Sequence, residues 1–201
     1  MILDPTPAPA GLMRANATMI RGVDSLSGRL AGAREADNLI SGYAQARLFG
    51  NNLRELDAFL AVLLDQAASC LGAGVVDRRR MAQRRNTHGR LSAMMDLLGA
   101  DSPFDPRLCA VGAVRDCLHA RGGRVSGGGH PAPALALHRL GAGMQDGAIL
   151  LSAGSLLSIY AMYRAVSEQL VDAVGAWRGG DIDFSRRNAH LSCAIVACDG
   201  F

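Results

Sequence analysis

The sequence contains no lysine; all 21 of its basic residues are arginine. No side chain can therefore play the lysine of a P-loop, and Gly127-Gly-Gly129 lacks the strand-to-helix setting of a Walker or dinucleotide fingerprint. Glutamate is nearly missing too, with Asp outnumbering Glu 15 to 3. Arg without Lys, beside abundant Ala and Gly, is the mark of a G+C-rich genome rather than of selection for guanidinium. Aromatic residues make up only 4%, which argues against single-strand binding by base stacking. The five Cys form no C-x-x-C and are odd in number, so they read as reduced thiols of a cytoplasmic protein. His130 and His138 flank a Pro/Gly loop without thiol or carboxylate spacing, and neither a metal nor another cofactor is expected. The N-terminus has no basic n-region followed by an apolar run, and no secretory signal is expected there. The longest uncharged stretch, Gly147 to Tyr163, is interrupted by three Ser and two Gly, and no membrane span is expected. A net charge of +3 is too small to mark a nucleic-acid binder by itself.

What is present is a chain of 201 residues that is 49% hydrophobic, enough to bury a core within one domain. Residues 1–24 open with Pro5, Pro7 and Pro9 and read as a flexible arm with a frayed helical turn near Leu12 to Ile20. Apolar residues at helical spacing from Leu26 to Leu48 predict a first long helix that Gly50 stops. Asn52-Leu-Arg-Glu55 reads as a capping box opening a second, through Leu53, Leu56, Leu60, Leu64 and Leu71. A third is expected over 77–98, and a fourth from the Asp105-Pro106 cap to Gly122-Gly123. Residues 122–143 form the longest, Gly-rich loop. Ala148–Leu151 reads as a short strand or extended lead-in, and Ser152 or Ser155 caps a fifth long helix ending near Trp177. The expectation is an all-α, up-down bundle of about five long helices over 25–178, with a Gly-rich loop before the last. Residues 179–201 are a tail of unassigned structure.

Two arginine patterns stand out. Six Arg crowd positions 78 to 90, including Arg84 and Arg85. They are candidate phosphate contacts, with a solvated helix face as the alternative, because at 100° per residue they do not form one stripe. Three His share the spacing Arg-x-x-x-His: Arg84/His88, Arg115/His119 and Arg186/His190. In a helix such a pair sets a fixed cation beside a titratable imidazole, which suits phosphodiester chemistry. The alternative is helix chemistry repeated by chance in an Arg-rich chain.

The middle pair has a distinctive context, Val114-Arg-Asp-Cys-Leu-His-Ala-Arg-Gly-Gly-Arg-Val125. Arg115, Asp116, Cys117, Gly122 and Gly123 resemble the motif of the HEPN superfamily of helical bundles: late in a helix, an Arg, a polar residue, a later His and a Gly-Gly turn. The similarity extends in order over roughly 25–178, including Asp146-Gly-Ala-Ile-Leu-Leu-Ser-Ala-Gly leading into a long helix. The family's His position falls on Ala120, and a His stands one residue earlier, at His119. The resemblance implies a homodimer whose paired motifs line a cleft, and RNA cleavage without metal in active members. It implies Arg115 as phosphate ligand, Asp116 as orienting group and His119 as a displaced acid/base. Arg121 and Arg124, beside the motif, are further candidate phosphate or RNA contacts. Its alternative is a catalytically silent module that dimerises or docks a cognate protein. A small-ligand-binding bundle is a third reading, since abundant Gly and Ala let helices approach closely around a pocket.

Overall fold

The computed structural model describes residues 9–34, 37–71, 86–100, 105–125 and 132–179. Within them the chain forms six helices and one hairpin: α1 (Ala10–Gly28), α2 (Tyr43–Cys70), α3 (Thr87–Leu98), α4 (Asp105–Arg121), α5 (Ala132–Arg139), β1 (Gly143–Gln145), β2 (Ala148–Leu150) and α6 (Ala153–Gly179). The fold is an all-α bundle. No described helix is long and apolar enough to cross a membrane.

The central element is α2, which packs on α1, α3, α4 and α6. Its buried positions, Ala46, Phe49, Leu53, Leu56, Leu60, Leu63, Leu64 and Ala67, recur every three or four residues and make one apolar stripe. The expected break at Gly50 does not occur, and Asn52 lies within the helix rather than capping it. A glycine inside a helix costs about 1 kcal/mol relative to alanine. Here it faces α4, where a Cβ would stand 3.0 Å from the His119 backbone nitrogen, so close helix approach is what Gly50 provides.

Residues 10–24 are a second correction, because they are no arm. Leu12, Ala15, Met19, Val23 and Leu26 are buried on one face of α1, against α2 and α6. Pro9 sits at the N-cap, where a missing N–H is harmless, so the prolines precede this helix without preventing it. Residues 1–8 lie outside the described residues. The helix expected to run from Ser25 to Gly50 is divided, since α1 ends at Gly28 and α2 begins at Tyr43. Between them Asn38 bridges Ser152, and Leu39 N–H donates to the Leu151 carbonyl at 2.9 Å.

Asn86 caps α3, its Oδ1 accepting from Gly89 N–H at 2.9 Å, and Gly99 ends it at φ 65°. The charged stretch expected to open this helix, with Arg84 and Arg85, lies outside the described residues. As expected, α4 stops at Gly122 and Gly123, with φ of 60° and 77°. The region read as loop contains α5, and at its end begins an antiparallel hairpin, Gly143 opposite Leu150 and Gln145 opposite Ala148, whose second strand falls on the segment read as a short strand or extended lead-in. Gly123 O accepts from Ile149 N–H, so the hairpin hangs on the end of α4. Ser152 Oγ caps α6 by accepting from Ser155 N–H at 3.1 Å. Leu156, Ile159, Tyr160, Tyr163, Val166, Leu170 and Val174 bury the inner face of that helix. Residues 180–201, which hold the Arg186/His190 pair, lie outside the described residues.

Candidate functional site

The Arg115 motif lies on the face of α4 that meets α2. Arg115 Nη1 is ion-paired with Asp57 of α2, and its Nε donates to Asp116 Oδ1 at 2.9 Å. Asp57 also accepts from the Tyr163 hydroxyl of α6 at 2.5 Å. One carboxylate thereby ties three helices. The Arg115 and Asp57 side chains are 21% and 13% exposed, while Asp116 is 71% exposed. The inner pair is thus sheltered from solvent and the outer one is not, which makes Asp57 the stronger partner. Tyr163 is fully buried. Loss of solvation pushes its phenol well above the ordinary range, against the opposing pull of the Arg115 cation. The hydroxyl therefore stays protonated and available as a donor to Asp57.

One turn further along the same seam, His119 Nε2 lies 2.8 Å from Arg54 Nη1 of α2. A guanidinium can only donate, so the imidazole nitrogen accepts in this contact. Arg54 and Asp57 are three residues apart on α2, and Arg115 and His119 four apart on α4. The two pairs therefore stack along one helix–helix groove. His119 is half-buried against α2, where Gly50 leaves room for its backbone, whereas Ala120 is exposed.

Chemically, the groove holds two guanidiniums and two carboxylates with an imidazole at one end. The positive charge of Arg115 is neutralised where it sits, and an incoming phosphate would have to displace Asp57 or Asp116 to receive its full charge. Arg121 and Arg124 do not join this groove. Both are exposed, and they line a separate cleft of about 340 Å³ with Ser41, Tyr43 and the Gly122–Gly123 turn. Cys117 Sγ donates to Arg124 O at 3.5 Å, and burial pushes its thiol up despite nearby Arg121. Among the described residues no cluster of three or more His, Cys, Asp or Glu is placed to hold a metal.

Sequence reasoning reached Arg115, Asp116 and His119 but missed Arg54, Asp57 and Tyr163. A signal for Asp57 exists: it interrupts the apolar stripe of α2 one turn after Leu53. No protein-family model, curated protein or solved structure matches this chain.

Proposed function

We propose that the protein is a HEPN-like helical module that docks to a second copy of itself or to a cognate protein in the cytoplasm, and that it does not cut RNA. The observation that carries this reading is the neutralisation of Arg115 by Asp57 and Asp116. An arginine clasped by two carboxylates, one of them held by a buried tyrosine, is a fastener of α2, α4 and α6 rather than a free phosphate ligand. The position where the resemblance asks for a proton-transferring imidazole carries the methyl group of Ala120. Deprived of both groups, the motif retains a structural role.

A second reading, RNA binding or metal-independent cleavage at a dimer cleft, draws support from Arg54 beside His119. That contact sets a cation and an imidazole one turn from Arg115, and a substrate phosphate could take it over. One experiment separates the two. Purified protein is incubated with mixed RNA and excess chelator, while light scattering measures its mass. The docking reading expects a dimer, or a monomer that captures a defined partner, with RNA intact. Cleavage that disappears in His119→Ala and Arg54→Ala would overturn it in favour of the second.

A further inference from the structure

A second cationic cleft lies elsewhere, where the start of α4, the end of α5 and the start of α6 converge. A cleft of about 290 Å³ is lined there by Arg107, Arg139, Leu140, Gly141, Ser152, Gly154, Ser155 and Ser158. Its volume is at the small end of the range for small-molecule sites, about 300 Å³. The Arg115 groove balances its charges, but neither Arg107 nor Arg139 has a carboxylate partner among the described residues. Arg107 Nη2 donates to Ser158 Oγ at 2.9 Å, and its Nε is shielded from water with no acceptor. A charged donor left in that condition costs more than a neutral one.

The floor of the cleft is built from hydrogen bonds that fix its shape. Ser155 Oγ donates to the Gly141 carbonyl at 2.7 Å and lies 3.0 Å from Ser152 Oγ. Ser152 in turn accepts from Ser155 N–H, so these two hydroxyls are committed to the wall. The proton of Ser158 Oγ has no acceptor among the described residues and remains for a ligand. The first-turn amides of α6 add the positive end of a long helix beside the two guanidiniums.

We propose that this cleft binds a terminal phosphate, the dianionic end of a phosphate monoester. Two guanidiniums supply charge and planar donors, and Ser158 supplies a directed hydroxyl. The site is independent of the docking reading: Arg107 and Arg115 lie eight residues apart on α4, about 12 Å along its axis. The monoester could be a small molecule or the 5′ end of an RNA, and the test distinguishes them.

Calorimetric titration of the full chain at low ionic strength uses inorganic phosphate, 5′-AMP, adenosine, and a short oligoribonucleotide with and without a 5′ phosphate. 5′-AMP should bind roughly tenfold or more tightly than adenosine, as charge-assisted hydrogen bonds require. Arg139→Gln, at an exposed position, and Ser158→Ala should both weaken binding of inorganic phosphate and 5′-AMP. Arg107→Gln should weaken it most. Arg21→Gln, which removes the same charge from exposed α1 surface, should leave it unchanged. Preference for the 5′-phosphorylated oligonucleotide over 5′-AMP assigns the site to an RNA end, and equal binding assigns it to a small monoester. No heat with phosphate or 5′-AMP, or equal weakening by Arg21→Gln and Arg139→Gln, would overturn the proposal.

Discussion

Tyr163 donates its hydroxyl to Asp57 at 2.5 Å, and the same carboxylate is ion-paired with Arg115. This relationship makes Asp57 the shared anion of three helices. Arg115→Ala would leave a half-sheltered carboxylate with one neutral donor. Breaking a fully buried pair costs about 3–5 kcal/mol, and partial exposure lowers the cost here to about 2 kcal/mol. Urea denaturation of Arg115→Ala, Asp57→Ala and the double variant should show a coupling of about 1 kcal/mol or more. Simple additivity would show that the clasp is idle.

Alkaline pH should unfasten the same region. Burial raises the phenol of Tyr160 to about 12, with the nearby Asn52 and Arg29 opposing, and raises Tyr163 as well. An unfolded tyrosine ionises near pH 10, about two pH units lower than Tyr160 in the fold. Between those values the unfolded state holds fewer protons than the native one, so stability falls as pH rises. It is fully present below about pH 10. Up to about 2–3 kcal/mol from Tyr160 is lost by about pH 12. Absorbance at the phenolate band should show both residues protonated in the native state at about pH 10.5, ionising only as far-UV dichroism collapses.

Ala120→His tests whether an imidazole at the position where the HEPN resemblance expects one creates activity. The site is exposed, so the substitution should change stability by no more than about 0.5 kcal/mol. RNA should remain intact, because Arg115 is still neutralised by Asp57 and Asp116. Cleavage by this variant in a gel assay would show that Arg115 can reach a phosphate after all.

Gly122 has φ 60°, and an added Cβ would run into the Tyr43 ring. Gly122→Ala should therefore cost about 1–2 kcal/mol in backbone strain, with further loss as Tyr43 is displaced. Thermal melting checks the size of the effect. Gly112→Ala, which meets nothing within 4 Å inside α4, should instead be neutral or stabilising.

Thiol reactivity should separate two cysteines of α4. Cys109 is exposed, whereas Cys117 is partly buried, bonded to Arg124 O and raised by burial. A thiol probe followed by peptide mapping should label Cys109 faster, since the thiolate is the reacting species.

Helical class, the Gly122–Gly123 stop, an α6 cap at Ser152 or Ser155 and most of the α6 core were legible because each rests on local periodicity or capping. Two errors had one cause, overweighting of residues that break helices. Pro5 to Pro9 drew α1 into an arm, and Gly50 seemed to divide α2. In both places tertiary packing decides, through Leu12 and Met19 in one and the close approach to His119 in the other. Arg115 and its neighbours could be found as a motif, but the state of that arginine could not. Its partners come from positions 57 and 163, and no local pattern announces a contact across such separations. Arg107 and Arg139 escaped notice for the same reason, as they meet only in three dimensions.

Asn38 Oδ1 accepts from Leu151 N–H at 2.9 Å across a separation of 113 residues, and the hairpin it holds also leans on Gly123. Closing so large a loop must be met in chain entropy before these bonds return anything. The packing of α6 on α1 closes a loop at least as long, as the Arg164–Asp24 pair 140 residues apart shows, so this junction is expected to dock late, together with α6. The Arg121/Arg124 cleft shares Ala148 with the hairpin, and the Arg107/Arg139 cleft shares Ser152 with the Asn38 bridge. Both clefts therefore exist only when the chain has completed its final closure, and an anion seated in either would slow the opening of segments it never touches.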